Sequence, residues 1–295
     1  MALKGIKPEI VVPSKPKIML TGFAGTGKSI FALNAPSPFY IDTESGVTRE
    51  QYMKKLIASK GVYFGPPQGS QDFMEITNQV KELATTKHEF KSIVIDALTK
   101  PYRMEQYAAE DRGVSPEFKK SQKEAERSTR KLLSWLMRPD LDMTVIIVCH
   151  AKDKWTREGK ELIKEGTTWD GPEKLDFDLD LWIETRAVDS SWYATVKKSR
   201  VESFKLGATF PLDFETFKKM YGAAVVDRPI KPIVLASADQ VKQITHLIEV
   251  LKMTEEEVGK LLVKAQVTEV ADLSEENAGK FLTFLKDKID GKVGK

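Results

Sequence analysis

The chain has 295 residues, 41% of them hydrophobic, with 46 basic and 43 acidic side chains and a formal net charge of +3. That length and apolar content suit one large domain, or one domain with an appendage. The balanced charge excludes a uniformly basic surface, so any nucleic-acid contact has to be a local patch. A single cysteine, Cys149, excludes a disulfide framework and argues against a metal cluster. No stretch is long and apolar enough for a membrane span, and residues 1–16 lack the apolar core of a signal peptide, so a cytoplasmic protein is expected.

Residues 1–15 read as a loose arm broken by Pro8 and Pro13, with Pro16 just beyond it. The run KIMLT from Lys17 reads as a first strand. The segment GFAGTGKS, Gly22 to Ser29, follows it and leads into the helix-like SIFALNA. PFYID (38–42) and KSIVIDA (91–97) read as further strands, and a long helix is expected around residues 116–136. MTVIIVCH (143–150) is the longest apolar run and reads as a fully buried strand. Residues 179–188 and 191–199 read as two strands joined by the turn Asp189-Ser190, an antiparallel extension at the sheet's end. PLDFETFKKMYG gives a short helix. Alternating strands and helices argue for an α/β fold, a mainly parallel sheet flanked by helices.

The composition shifts at residues 226–237, where Pro229 and Pro232 suggest a stiff linker. Residues 238–295 read as a small helical domain of three helices, opened by Ser237, Thr254 and Ser274. The first two start with capping boxes closed by Gln240 and Glu257. The core domain is expected over residues 16–225.

GFAGTGKS fits the pattern G-x-x-x-x-G-K-[ST], between a strand and a helix as a phosphate cradle requires. Gly22, Gly25 and Gly27 let the backbone curl so that N–H groups point at phosphates, with Phe23, Ala24, Thr26 and Ile30 completing the nucleotide contacts. Lys28 adds a positive charge near the β- and γ-phosphates. Ser29 offers a hydroxyl to Mg²⁺, for which Asp96, at the tip of SIVID, is the expected second ligand, a helix N-cap or loop carboxylate being the alternative. ATP and Mg²⁺ are therefore the expected ligands.

Families with this loop differ in where they keep the carboxylate that positions the attacking water. The residue after Asp96 is Ala97, so the location used by AAA+ proteins is empty. CHAKDKW, after the buried strand, does not match the guanine-reading N-K-x-D motif. The second strand instead reads FYIDTESG (39–46), which resembles the RecA and eukaryotic recombinase group. The resemblance implies that Glu44 is the catalytic carboxylate; an ordinary solvated acidic turn is the alternative. It also implies that His150 senses the γ-phosphate, the alternative being a histidine merely satisfied at a strand end. Cys149 is expected to face the other side of the sheet.

Lys198 and Arg200 match the K-x-R pair that replicative helicases of this core extend into the adjacent subunit's nucleotide site. A solvated basic strand end is the alternative. The charged segment between His150 and Leu179 resembles in position the DNA-binding loop of RecA-type recombinases and is expected to be partly mobile. Lys152, Lys154, Arg157 and Lys160 could track phosphates there, and Trp155 and Trp169 could stack on bases. The alternative is a solvated hairpin with tryptophan packed on the domain. The basic stretch 123–131 reads as a solvated helix face.

Together, residues 17–222 resemble a compact RecA-type ATPase of the bacteriophage recombination kind, the Rad-recombinase-like single-strand-annealing ATPases. The resemblance implies an ATP- and Mg²⁺-dependent protein that binds single-stranded DNA and promotes annealing or strand exchange. It implies a homo-oligomer with shared nucleotide sites, contact with a single-stranded-DNA-binding protein or another recombination protein, and no membrane. If the chain is viral, the compartment is the host cytoplasm. A helicase-like or packaging-type motor, and a nucleotide switch that binds a protein partner without DNA, remain open. No N-terminal helix–hairpin–helix domain or subunit-linking segment is evident, so ring and filament are equally open.

Overall fold

The computed structural model describes residues 13–159 and 161–291. The core runs β1 (Lys17–Gly22), α1 (Lys28–Leu33), β2 (Pro38–Asp42), α2 (Glu50–Ala58), β3 (Val62–Phe64), α3 (Phe73–Thr85) and β4 (Ser92–Asp96). It continues through α4 (Thr99–Asp111), α5 (Lys120–Leu136), β5 (Thr144–Glu158), β6 (Glu161–Asp170), α6 (Leu175–Asp178) and β7 (Leu181–Val188). It closes with β8 (Ser191–Ser199), β9 (Thr209–Pro211), α7 (Phe214–Tyr221) and α8 (Ala223–Val226). Three longer helices follow: α9 (Ala238–Val250), α10 (Glu255–Lys264) and α11 (Glu275–Ile289).

The sheet has the order β3-β2-β4-β5-β1-β7-β8-β9. From β3 to β7 every pairing is parallel. β8 and β9 add on antiparallel, as the turn at Asp189-Ser190 leads one to expect. β5 lies between β1 and β4, so the phosphate-loop strand and the strand ending in Asp96 are not neighbours. The carboxyl ends of β1, β2, β4 and β5 therefore share one edge of the sheet, where α/β proteins place their ligands.

Both faces of the sheet are covered, which is why its strands read as continuous apolar runs. Met19, Ile41, Ile95 and Ile147 pack with Ile76, Leu132 and Trp135 of α3 and α5 on one face. Ile18, Leu20, Val94 and Ile146 pack with Phe31, Phe214 and Phe217 of α1 and α7 on the other. Side chains adjacent in β1 thus enter opposite cores, the period of two expected of a strand. Cys149 lies in the first of these cores, on the face opposite Val148. Burial there pushes its thiol pKa up.

Several expectations change. The long helix begins at Lys120, behind a single 3-10 turn at Glu117–Lys119. The supposed loop after His150 is largely a β-hairpin: β5 runs on to Glu158 and β6 returns beside it, with a bulge between Lys154 and Trp155. Residues 13–15, the described part of the supposed loose arm, are tied down. Lys15 is buried with its ammonium on the Arg228 carbonyl, and Tyr221 Oη donates to the Ser14 carbonyl. Residues 1–12 lie outside the described part. The proline segment 226–237 lies along the core: Ile233 is buried and donates its N–H to the Ala84 carbonyl at 2.8 Å.

Helices α9, α10 and α11 surround their own apolar cluster, which includes Ile244, Leu262, Phe281 and Leu285. Ser237, Thr254 and Ser274 each accept the N3 amide, and Gln240 and Glu257 close capping boxes. Lys81 and Arg138 reach from the core to Asp272, and Lys131 pairs with Glu269. Among the described residues no helix is long and apolar enough to cross a membrane.

Candidate active site

The loop after β1 curls through two left-handed residues, Gly25 (φ 79°) and Gly27 (φ 86°), a conformation that favours glycine. Gly22 is required for space: a Cβ there would meet Thr185 Oγ1 at 2.2 Å. Thr26 Oγ1 donates to the Phe23 carbonyl at 2.8 Å and lies 2.7 Å from Thr185 Oγ1, so β7 supports the loop from the side. Lys28 is buried, and its ammonium donates to the Gly22 and Phe23 carbonyls at 2.8 and 2.7 Å. Burial lowers its pKa, while Asp96 and Glu44 act in the opposite direction. A cleft of about 220 Å³ follows the loop, lined by Gly25 to Ile30 with Gln51, Tyr52 and Trp192. Phe23 and Ala24 are exposed at the loop's start.

Asp96 ends β4 beside this loop. It is buried, and Ser29 and Tyr40 both bond its carboxylate. Desolvation raises its pKa, the two hydrogen bonds lower it, and the charge on Glu44 raises it again. Two hard oxygens, Ser29 Oγ and an Asp96 carboxylate oxygen, thus stand together at the phosphate loop. That donor set fits Mg²⁺, which takes one or two protein oxygens and leaves its other positions to phosphate and water.

The run YIDTE distributes its work residue by residue. Tyr40 holds Asp96, and Ile41 packs in the core. Asp42 is buried and accepts the N–H groups of Glu44, Gly46 and Val47 at 3.1, 3.1 and 2.9 Å, closing the turn. Thr43 Oγ1 donates to the Ala97 carbonyl and accepts the Ala97 N–H, both at 2.9 Å, so the turn is fastened to the end of β4. Ala97, the empty AAA+ position, is itself fully buried. Of the run, only Glu44 is exposed. Its carboxylate lies 3.3 Å from His150 Nε2. The hydrogen bond with His150 lowers the Glu44 pKa, and the same bond raises that of His150.

His150 also anchors the hairpin. Its N–H donates to Thr99 Oγ1 at 2.9 Å, and Thr99 Oγ1 donates to the Asp170 carbonyl at 2.6 Å. His150 pairs with Asp170 in the β5–β6 ladder. Arg103 grips the Asp170 carboxylate with Nε at 2.9 Å and a terminal nitrogen at 2.8 Å.

Along the hairpin, Lys152 and Lys154 form ion pairs with Asp170 and Glu165 at 3.3 and 2.9 Å. Trp155 and Arg157 are exposed. Lys160 lies outside the described residues. Trp169 packs on the domain, as the alternative reading has it: its ring lies edge-on against Trp182 at 5.1 Å, and its indole N–H donates to the Pro172 carbonyl at 2.8 Å. The ring is held by these contacts and lines a cleft beside Lys152 and Lys154. That cleft, of about 440 Å³, is also lined by Lys119, Lys174, Gln106, Gln122 and Glu173. Sequence reasoning missed Lys119 and Lys174, whose arrival at the cleft depends on the packing of α5 and α6.

Lys198 and Arg200 sit at the other end of the sheet from Lys28. Ser199 pairs with Leu181, which pairs with Ile18 at the start of β1, whereas the phosphate loop leaves the end of that strand. Lys198 donates to the Asp176 carbonyl at 2.6 Å and to that of Leu179, and Arg200 donates to the Phe177 carbonyl. Within one chain, neither reaches the loop.

The sheet order, the phosphate loop and the acid beside it define an α/β P-loop ATPase. The chain belongs to the AAA_24 family, described as an AAA domain, whose signature matches residues 14–192. No curated protein matches it. The RadB recombinase structure is similar over 66% of this chain and 86% of its own, at 16% identity and a TM-score of 0.45. A prototypical ATPase from the type III secretion system of pathogenic bacteria aligns over 92% of this chain and 79% of its own, at 13% identity and a TM-score of 0.41.

Proposed function

We propose that this ATPase binds single-stranded DNA and uses its nucleotide state to promote annealing or strand exchange. The observation that carries this reading is that β5 joins two sites. At His150 the strand meets Glu44 and the phosphate loop; two residues later Lys152 enters the lysine-lined cleft.

In the hydrolysis reading, Glu44 accepts a proton from the attacking water and orients it in line with the γ-phosphate. Lys28 and the loop N–H groups neutralise charge on the phosphates. Ser29 and Asp96 would hold Mg²⁺, which would supply further charge neutralisation when bound. His150 exchanges its bond to Glu44 for one to phosphate, and the hairpin feels the change through Thr99 and Asp170.

In the DNA reading, the backbone follows Lys119, Lys152, Lys154 and Lys174. The acids that face Lys119 and Lys154 are exposed, and exposed pairs contribute only about 0–1 kcal/mol, so phosphate can displace them. Phe118, 85% exposed beside Lys119, and Trp155, 56% exposed, offer ring faces to bases. A second copy of the chain would be needed to bring Lys198 and Arg200 to a phosphate loop, and the shared site of an oligomer is the use we assign them. Mixing Arg200→Ala with Glu44→Gln protein should then restore part of the turnover that each lacks alone.

The test is annealing of complementary labelled strands with Mg²⁺ and ATP, beside a forked duplex. The reading expects faster annealing with the fork left paired. Unwinding of the fork would favour a motor, and failure to bind the single strands would overturn the DNA reading altogether.

A further inference from the structure

Trp192, the second residue of β8, has no part in the hydrolysis reading above, yet it touches the phosphate loop twice. Its indole N–H donates to the Gly25 carbonyl at 3.0 Å. Its ring lies on Gly27 so closely that a Cβ there would fall 2.7 Å from the ring. The backbone beneath is fixed, since the Leu212 N–H donates to the Trp192 carbonyl at 2.9 Å. The overhang follows from topology: β7 pairs with β1 as far as Thr21–Glu184 and continues past it, so the Asp189-Ser190 turn returns β8 above the loop.

The Gly25 carbonyl and the Thr26 N–H belong to one planar trans peptide and point in opposite directions. Holding the carbonyl on the indole therefore fixes the direction of the Thr26 N–H as well. Gly25 cannot fix that plane alone, because glycine moves freely between backbone conformations and open space surrounds its Cβ position. A donor from outside the loop is needed, and the indole is the side-chain donor placed there.

We propose that Trp192 is a positioning residue for the phosphate loop, setting the Gly25–Thr26 peptide for the phosphates of a nucleoside triphosphate. Its ring contact then makes its emission a reporter of loop occupancy. The inference rests on triphosphate binding at this loop.

The experiment compares wild type with Trp192→Phe, which keeps a ring and removes the donor, using Mg·ATP and inorganic tripolyphosphate as probes. Loss of one such hydrogen bond predicts about three- to tenfold weaker binding of both probes. The thermal midpoint should hold, and the tryptophan emission change seen on binding to wild type should vanish although the other tryptophans remain. Trp192→Ala, which also removes the ring, should weaken both probes further. Unchanged affinity for both probes in Trp192→Phe would overturn the proposal. Loss for ATP with tripolyphosphate unaffected would also overturn it, because the ring would then serve the nucleoside. Wild-type protein that binds neither probe would instead refute triphosphate binding itself.

Discussion

The two ends of the β5 segment from His150 to Arg157 are built on opposite physical terms. At the sheet edge, Lys28, Asp42, Thr43 and Asp96 are buried, and each polar group has a fixed partner in backbone or side chain. On the hairpin, Lys152 and Lys154 are exposed, Lys154 answered by the surface acid Glu165 and Lys152 by the half-buried Asp170. The first region works by geometry, because low dielectric and rigid donors make position matter. The second works by charge, which salt screens. Substitutions near Lys28 should therefore act on chemistry at any ionic strength, and substitutions near Lys152 on affinity in a salt-dependent way.

The largest effects are expected at the sheet edge. Glu44→Gln should lower ATP turnover about 10²- to 10⁴-fold while nucleotide binding persists, as measured by phosphate release beside equilibrium binding. Lys28→Ala should lower turnover about 10²- to 10³-fold, with binding weakened as well. Asp42→Ala should act on stability, at about 1–3 kcal/mol, because buried N–H groups of the Glu44 turn lose their acceptor; chemical denaturation measures it.

On the hairpin the effect is smaller and tied to salt. Lys152→Glu with Lys154→Glu should weaken oligonucleotide binding, and each lost phosphate contact should flatten the salt dependence of log K by about 0.7. An unchanged slope would place the DNA elsewhere and dissolve the contrast between the two regions.

The smallest effect concerns pH. The His150 pKa is raised, so its share of the Glu44–His150 attraction is complete below the ordinary imidazole value and fades as pH rises through the raised one. The Glu44 pKa is lowered, so its share is present above the ordinary carboxylate range and is lost only as pH falls through the depressed value. Turnover should therefore change as pH rises above the ordinary imidazole value and His150 releases Glu44, and His150→Gln should flatten that profile.

What could be read from the sequence was local. The caps at Ser237, Thr254 and Ser274 and the glycines of GFAGTGKS are fixed by neighbours a few residues away. YIDTE was legible as a pattern, although only the structure separates Asp42 and Thr43, which build the turn, from Glu44, which uses it. The hairpin was legible only as the alternative to a mobile loop, because residues 152–157, KDKWTR, have no alternating apolar face. Trp192 carried no signal, since its partner Gly25 is 167 residues away in the chain. The packed fate of Trp169 likewise depends on Trp182 across the fold.

The central claim is that β5 couples ATP hydrolysis to single-stranded DNA. ATP turnover with and without single-stranded DNA, in wild type and in the Lys152→Glu, Lys154→Glu protein, tests it most directly. The account predicts that DNA stimulates wild-type turnover and that the doubly substituted protein keeps its basal rate without the stimulation. Turnover in wild type that is indifferent to saturating single-stranded DNA would contradict it.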